Sequence, residues 1–331
     1  MKLVTFRKTR EPSAHFGAVW RDRILSFGDL QKKSSKSFPW LADMGSYLSR
    51  LPASESAARE ILEWADGHFF DLSETEKLRF DEVKFLPPVP APAALIDFAL
   101  SPRHLENSLK TLLRYEYPWW SRWLIERTVR NGMKKRTRAG TLPYYKGNHQ
   151  SLIGDGEETS WPSYTCYLDI EPELAFVTGT PDAPIAGFTI LNDWSARDVQ
   201  WPEIVGLGLT RSKDFDRGNG LGPFLVTPEE IQNPRALKVS VRIGDRAVWE
   251  GNTSGYSHSP EEALQYLRSI FNPAPGTVIG MGTIAGCCGL DRDEWIKPGD
   301  RIEITLEGLG TLHQLVPQKA LDFGLSPWRR R

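Results

Sequence analysis

Two glutamates, Glu171 and Glu173, stand two residues apart in the run LDIEPELAF. In an extended strand residues i and i+2 face the same side, so this spacing sends both carboxylates into one space. Two like charges there repel, and they are easier to keep ionised with a cation between them. A solvent-facing strand with two ordinary surface glutamates has the same spacing, but the flanking Leu168, Ile170, Leu174 and Phe176 argue for a substantially buried strand. A second acidic cluster lies in LNDWSARD, where Asp193 closes an apolar run and Arg197 follows four residues later. An N-cap aspartate with a salt-bridged arginine is the plain structural alternative at that point. A third acid, Asp97, ends the run PAALI seven residues before His104. Four carboxylates (Asp97, Glu171, Glu173, Asp193) with no cysteine or histidine in the same short motifs make a hard, all-oxygen set. Such a set suits Mg²⁺, Mn²⁺ or Ca²⁺ better than Zn²⁺.

The elements that must position these residues are mostly strands. YTCYLDIEPELAFV, PIAGFTILND, LKVSVRI and DRIEITLEG alternate or run apolar between Gly and Pro turns. EEALQYLRSI reads as a helix with Ser259 as its cap and Pro260 at its first position. Residues 1–86 read as a small unit of their own: three short β-rich runs, then helical spacing over 43–65 broken at Pro52, with Ser54 as the second cap. A proline-rich stretch, FLPPVPAPAAL, then leads into residues 87–331, a β-rich α+β domain. Residues 103–138 form a basic block with Trp119, Trp120 and Trp123 in its middle, split into two helices at Pro118. The expectation there is an amphipathic excursion whose Trp and Leu pack on the body while its charges face water, with a lid over a site as the other reading.

Composition bounds the function. The chain has 331 residues, 40% hydrophobic and 25% charged, enough to bury a sizeable core. Lys plus Arg (41) nearly cancels Asp plus Glu (42), which gives no argument for a nucleic-acid partner. No apolar run approaches the roughly 20 residues that span a bilayer, and the N-terminus turns charged too soon for a signal peptide. Three cysteines, two of them adjacent, make no disulfide framework. The expectation is a cytoplasmic enzyme with neither nucleic acid nor membrane as partner.

IDFALSPRH, YLDIEPELAF, LNDWSARDVQ, GLTRSKDF, GTVIGMGTIAG and PGDRIEITLEGLGTL, in this order, resemble the fumarylacetoacetate hydrolase family over about residues 90–325. The resemblance implies a mixed β-roll catalytic domain, dimeric as a rule, behind a small N-terminal β-containing domain. It places the divalent metal on Asp97, Glu171, Glu173 and Asp193, the general base on His104, and the carboxylate that orients this histidine on Glu303. Arg197, Gln200 and Lys213 then grip substrate oxygens, Thr283 binds substrate, and Tyr145 is a looser active-site match. Two departures stand out. Ala99 occupies a position where fumarylacetoacetase has tyrosine, and the 103–138 block is longer than the usual mobile segment.

The implied chemistry is hydrolysis of a C–C bond in a small keto acid or diketone. A 1,3-dicarbonyl chelates the metal, His104 activates water, and the enolate leaves stabilised. Decarboxylation or isomerisation of a 2-oxo diacid is the alternative; members of that kind carry His-x-x-Glu, and here the fourth position is Asn107. A non-catalytic binding module on the same fold, docking through its basic block, is a third and minor reading.

Overall fold

The computed structural model describes residues 1–9, 11–206, 208–324 and 326–328, and within the Trp119–Arg138 helix all side chains but those of 133 and 136–138. Nine strands form one continuous path. Its order is Arg23–Ser26, Ala14–Trp20, Lys2–Lys8, Asn219–Val226, Ile185–Asp193, Pro172–Thr178, Val278–Gly280, Leu95–Phe98 and Tyr144–Gly147. The first three strands of the chain therefore share a sheet with the later part, joined where Lys2 faces Val226 and Leu3 faces Leu225. A second sheet orders Ala247–Asn252, Lys238–Ile243, Arg301–Leu306, Gly310–Leu315 and Glu157–Glu158.

Pro172–Thr178 and Asn219–Val226 are buried along their whole length, as strands covered on both faces must be. Their alternate residues enter two different cores. Leu174 and Phe176 join Ile96, Phe98, Ile190 and Ile279 on the side of the second sheet. Ala175 and Val177 join Leu95, Leu191 and Val278 under the N-terminal helices Phe27–Ser34, Met44–Leu48 and Ala53–Gly67. Period-two alternation sorts these side chains, so a one-residue slip in register would exchange the two cores.

Local expectations hold in most places. Ser259 caps Pro260–Arg268 through a reciprocal pair of bonds with Glu262, with Pro260 at the first position. The basic block divides at Pro118 into helices Pro102–Glu116 and Trp119–Arg138. Two expectations are corrected. Pro52, not Ser54, occupies the cap of the Ala53–Gly67 helix; Ser54 is buried inside its first turn and donates to the Tyr47 carbonyl at 2.6 Å. The block's tryptophans also do not pack on the body: Trp119, Trp120 and Trp123 are 80%, 72% and 66% exposed. Ile125 and Val129 take the body-facing stripe against Leu109, Leu112, Leu113 and Tyr115. At 100° per residue Trp120 and Trp123 fall on the opposite side of that helix and Trp119 on its flank.

Candidate active site

A staggered set of positions on one face of the large sheet builds the acidic centre. On the face covered by the N-terminal helices, Leu95, Val278, Ala175 and Leu191 lie on four neighbouring strands. Two residues from each, on the same face and toward the same end of the sheet, stand Asp97, Gly280, Glu173 and Asp193. The acidic row is diagonal: Asp97 and Gly280 lie opposite Ala175, Glu173 lies one step further along opposite Leu191, and Asp193 one step beyond that. Asp97, Glu173 and Asp193 each offer an oxygen within 4.8 Å of the others, and all three residues are buried. Asp97 Oδ1, Glu173 Oε1 and Asp193 Oδ1 have no hydrogen-bond partner. Three buried orphan oxygens are costly, and a divalent cation bound by oxygen ligands would satisfy all three. The residues present thus fit a divalent metal. Burial, reinforced by Asp193, pushes Asp97 well above the usual carboxylate range. Burial, reinforced by Asp97, does the same to Glu173.

Gly280 supplies the space. A Cβ there would lie 2.6 Å from both Asp97 Oδ1 and Glu173 Oε2, and 2.9 Å from Leu191 Cδ2. Gly280→Ala is therefore expected to splay the two carboxylates and weaken Mg²⁺ binding by about 10–100-fold, as loss of supporting contacts at metal sites does. The overpacking should also cost about 1–3 kcal/mol of stability. Calorimetric titration with Mg²⁺ and a thermal melt read the two effects separately.

The fourth expected ligand, Glu171, is held differently. Its Oε1 lies 2.7 Å from Arg197 Nη1 and 3.5 Å from His104 Nε2, while its Oε2 meets the Lys213 ammonium. Burial resists its charge, yet Arg197 and Lys213 hold Glu171 well below the usual carboxylate range. Lys213 also binds Asp193 Oδ2, which accepts a hydrogen bond from the Tyr145 hydroxyl as well. Tyr145 faces Asp97 across adjacent strands. Arg197 is buried; it reaches Asp169 at 2.8–2.9 Å and donates to Gln200 Oε1 at 3.0 Å. Thr283 is buried next to Gly282, whose amide donates to Glu173 Oε2 at 2.8 Å.

His104 sits in the first turns of Pro102–Glu116, 8% exposed. Glu303 is not its partner. On the Arg301–Leu306 strand Ile302, Ile304 and Leu306 point into the core, so Glu303 faces outward, 44% exposed and 3.6 Å from Arg242. The partner is Asp291, whose Oδ1 lies 2.9 Å from His104 Nδ1. Asp291 Oδ1 also accepts from Ser108 Oγ at 3.1 Å, and its Oδ2 from the Gly286 amide at 2.7 Å. Burial works against a charged imidazole, but Asp291 outweighs it and holds His104 well above the ordinary histidine value. Asp291 is lowered in turn: burial opposes its charge and His104 overcomes that.

A second aspartate fixes the first. Asp169 accepts from the Gly289 and Leu290 amides at 2.7 and 2.9 Å, anchoring the short Gly289–Arg292 helix that carries Asp291. Since Asp169 also binds Arg197, the groups close a ring: Asp291, His104, Glu171, Arg197, Asp169 and back. Sequence reading missed Asp291 and Asp169. Asp169 had a signal, because Asp169, Glu171 and Glu173 run at i, i+2, i+4. Asp291 had none, being 187 residues from its histidine.

Comparison with known proteins agrees with this architecture. The fumarylacetoacetate (FAA) hydrolase C-terminal family model matches residues 125–317, and the chain belongs to that family. An uncharacterized protein of Staphylococcus haemolyticus is 26% identical over 249 residues, covering 71% of this chain and 72% of its own. Maleylpyruvate hydrolase from Sphingobium sp. SYK-6, solved with manganese(II) and pyruvate, is similar with a TM-score of 0.65. Its identity is 17%, over 97% of this chain and 100% of its own. A 2-keto-3-deoxy-D-arabinonate dehydratase complexed with magnesium and 2,5-dioxopentanoate gives a TM-score of 0.62 at 21% identity, with the same coverage. The 2-hydroxyhepta-2,4-diene-1,7-dioate isomerase from Mycobacterium marinum gives 0.62 at 18%, again with that coverage. These three likenesses establish a shared α+β fold. By their names these three neighbours are a hydrolase, a dehydratase and an isomerase. Among the described residues no helix is long and apolar enough to cross a membrane.

Proposed function

We propose that this protein is a divalent-metal-dependent hydrolase that cleaves a C–C bond in a 1,3-diketone or 2,4-dioxo acid of the acylpyruvate type. The observation that carries the reading is His104, braced at Nδ1 by Asp291, with Nε2 turned toward Glu171 beside the three-carboxylate group. A divalent cation held by Asp97, Glu173 and Asp193 would supply Lewis acidity for the substrate's carbonyl oxygens and positive charge that favours the neutral form of His104.

The protein's own groups do the rest. His104 accepts a proton from water at Nε2 while Asp291 keeps Nδ1 protonated, so the lone pair faces the site. Once Nε2 carries that proton, Glu171 at 3.5 Å accepts from it, and Arg197 with Lys213 keeps Glu171 ionised. Lys213 and the Tyr145 hydroxyl are the donors nearest the acidic row, placed to steady negative charge on substrate oxygens. Arg197 and Gln200, expected as substrate grips, are engaged with Asp169, Glu171 and each other; their role here is to hold Glu171 in place. Burial of the acidic row excludes bulk water, which strengthens each of these interactions.

One observation favours a second reading. His104 lies between Asp291 and Glu171. Against the opposing effect of burial, Asp291 raises it well above the ordinary histidine value, which favours the imidazolium, an acid that can protonate an enolate. That is the proton traffic of a decarboxylase or isomerase. Metal-stripped protein assayed with and without Mg²⁺ on acylpyruvates, oxaloacetate and unsaturated 2-oxo diacids separates the readings. Metal-dependent release of a carboxylic acid plus pyruvate is expected. Carbon dioxide or an isomer as the sole product supports the second reading instead.

A further inference from the structure

We propose that His104, Cys288 and Asp291 form a second metal site, selective for a soft ion such as Zn²⁺, whose occupation switches the enzyme off. The three residues offer one nitrogen, one sulfur and one carboxylate oxygen, all within 4.8 Å of one another. This donor set differs in kind from the all-oxygen row and selects a different ion.

The spacing suits tetrahedral zinc. With Zn–N near 2.05 Å, Zn–S near 2.3 Å and Zn–O near 2.0 Å, tetrahedral angles put nitrogen and sulfur about 3.6 Å apart and nitrogen and oxygen about 3.3 Å apart. The corresponding separations are 3.7 Å from Cys288 Sγ to His104 Nδ1 and 2.9 Å from Asp291 Oδ1 to that nitrogen. Ser108 Oγ, 3.3 Å from Nδ1 and 3.1 Å from Asp291 Oδ1, stands where a fourth oxygen ligand or its water belongs. Cys288 and the Asp291 side chain are fully buried, which favours a desolvated, closed site. A cavity of about 580 Å³ lined by Arg103, Asn107, Gly286, Asp291 and Arg292 adjoins the site at Asp291.

The consequence for chemistry follows from which nitrogen is used. Zinc bound at Nδ1 displaces the proton that Asp291 holds there: a neutral ring moves that proton to Nε2, a protonated ring releases it to solvent, and Cys288 loses its thiol proton to solvent as the Zn–S bond forms. The metallated ring keeps its remaining proton on Nε2 and has no lone pair to offer water. Zinc at Nδ1 therefore acts as a fixed protonation of the base. The inhibitory part of this inference rests on His104 acting as a base; the binding part does not.

Co²⁺ is the probe, added to Mg²⁺-saturated protein, with Cys288→Ser as the variant and Zn²⁺ as the inhibitor. Wild type is expected to develop a near-ultraviolet thiolate-to-cobalt charge-transfer band and to lose turnover with Zn²⁺. Cys288→Ser is expected to lack the band, to keep basal turnover within about threefold, and to need at least tenfold more Zn²⁺ for half-inhibition. Absence of the band in wild type overturns the site. Equal zinc inhibition of both proteins also overturns it, because zinc then acts at the acidic row. A cysteine-dependent band without inhibition leaves the site standing and overturns the base role of His104.

Discussion

Asp291→Asn is expected to lower kcat by about 10²-fold or more and to lower the melting temperature, since it removes the buried charge partner of His104, while leaving Mg²⁺ affinity nearly unchanged. Asparagine preserves the shape of the side chain but can turn its amide toward Nδ1. The imidazole would then accept at Nδ1 and carry its proton on Nε2, the wrong tautomer for taking a proton from water. His104→Ala sets the floor, a fall of about 10²–10⁴-fold, the usual worth of a positioned general base. Glu303→Gln is the informative control. Because Glu303 faces outward beside Arg242, its replacement should leave kcat within about twofold. Steady-state kinetics of the three variants, with nitrogen-15 NMR of the histidine tautomer in Asp291→Asn, checks each statement. Loss of activity in Glu303→Gln with full activity in Asp291→Asn would reverse the assignment.

Glu173→Gln is expected to change stability in opposite directions with and without metal. Without metal, Asp97, Glu173 and Asp193 crowd together with three orphan oxygens, so removing one carboxylate relieves repulsion and raises the melting temperature. With Mg²⁺ at a hundred times its dissociation constant, wild type gains about 2.7 kcal/mol by mass action, and the variant gains little. The two melting curves should therefore cross as Mg²⁺ is added, and turnover should be lost in the variant.

The acidic row also fixes a pH dependence. Asp97 and Glu173 have folded-state values raised well above those of the unfolded chain. Between the two values the folded state binds more protons, so ∂ΔG/∂pH of unfolding is negative. Metal-free wild type should thus lose stability as pH rises from about 4 through the folded values, and Glu173→Gln should show a weaker loss. Thermal melts across pH in the presence of chelator read this directly.

Much of the site was legible because it obeys strand periodicity. Asp97, Glu173 and Asp193 each follow or precede an apolar residue by two positions, and that step carries a side chain along one face from the core to the sheet's end. Glu303 failed by the same rule. Ile302, Ile304 and Leu306 alternate with it, so the strand's inward face was already taken, and motif likeness overrode that pattern. Asp291 was hidden for another reason: it reaches His104 from a one-turn helix whose position depends on Asp169, a tertiary link with no local periodicity. The tryptophans of the second basic helix misled through composition. Apolar residues in a helix were expected inward, but Ile125 and Val129 already supplied the packing stripe.

The pairing of a braced histidine with a buried acidic row makes one central claim, that water attacks a carbonyl carbon. Turnover of acylpyruvates in ¹⁸O-enriched water, with products read by mass spectrometry, tests it most directly. The expected result is one ¹⁸O atom incorporated into the carboxylic acid product on each C–C cleavage, dependent on Mg²⁺ and abolished in His104→Ala. Product formed without ¹⁸O incorporation, as carbon dioxide or an isomer of the substrate, would contradict the hydrolytic account.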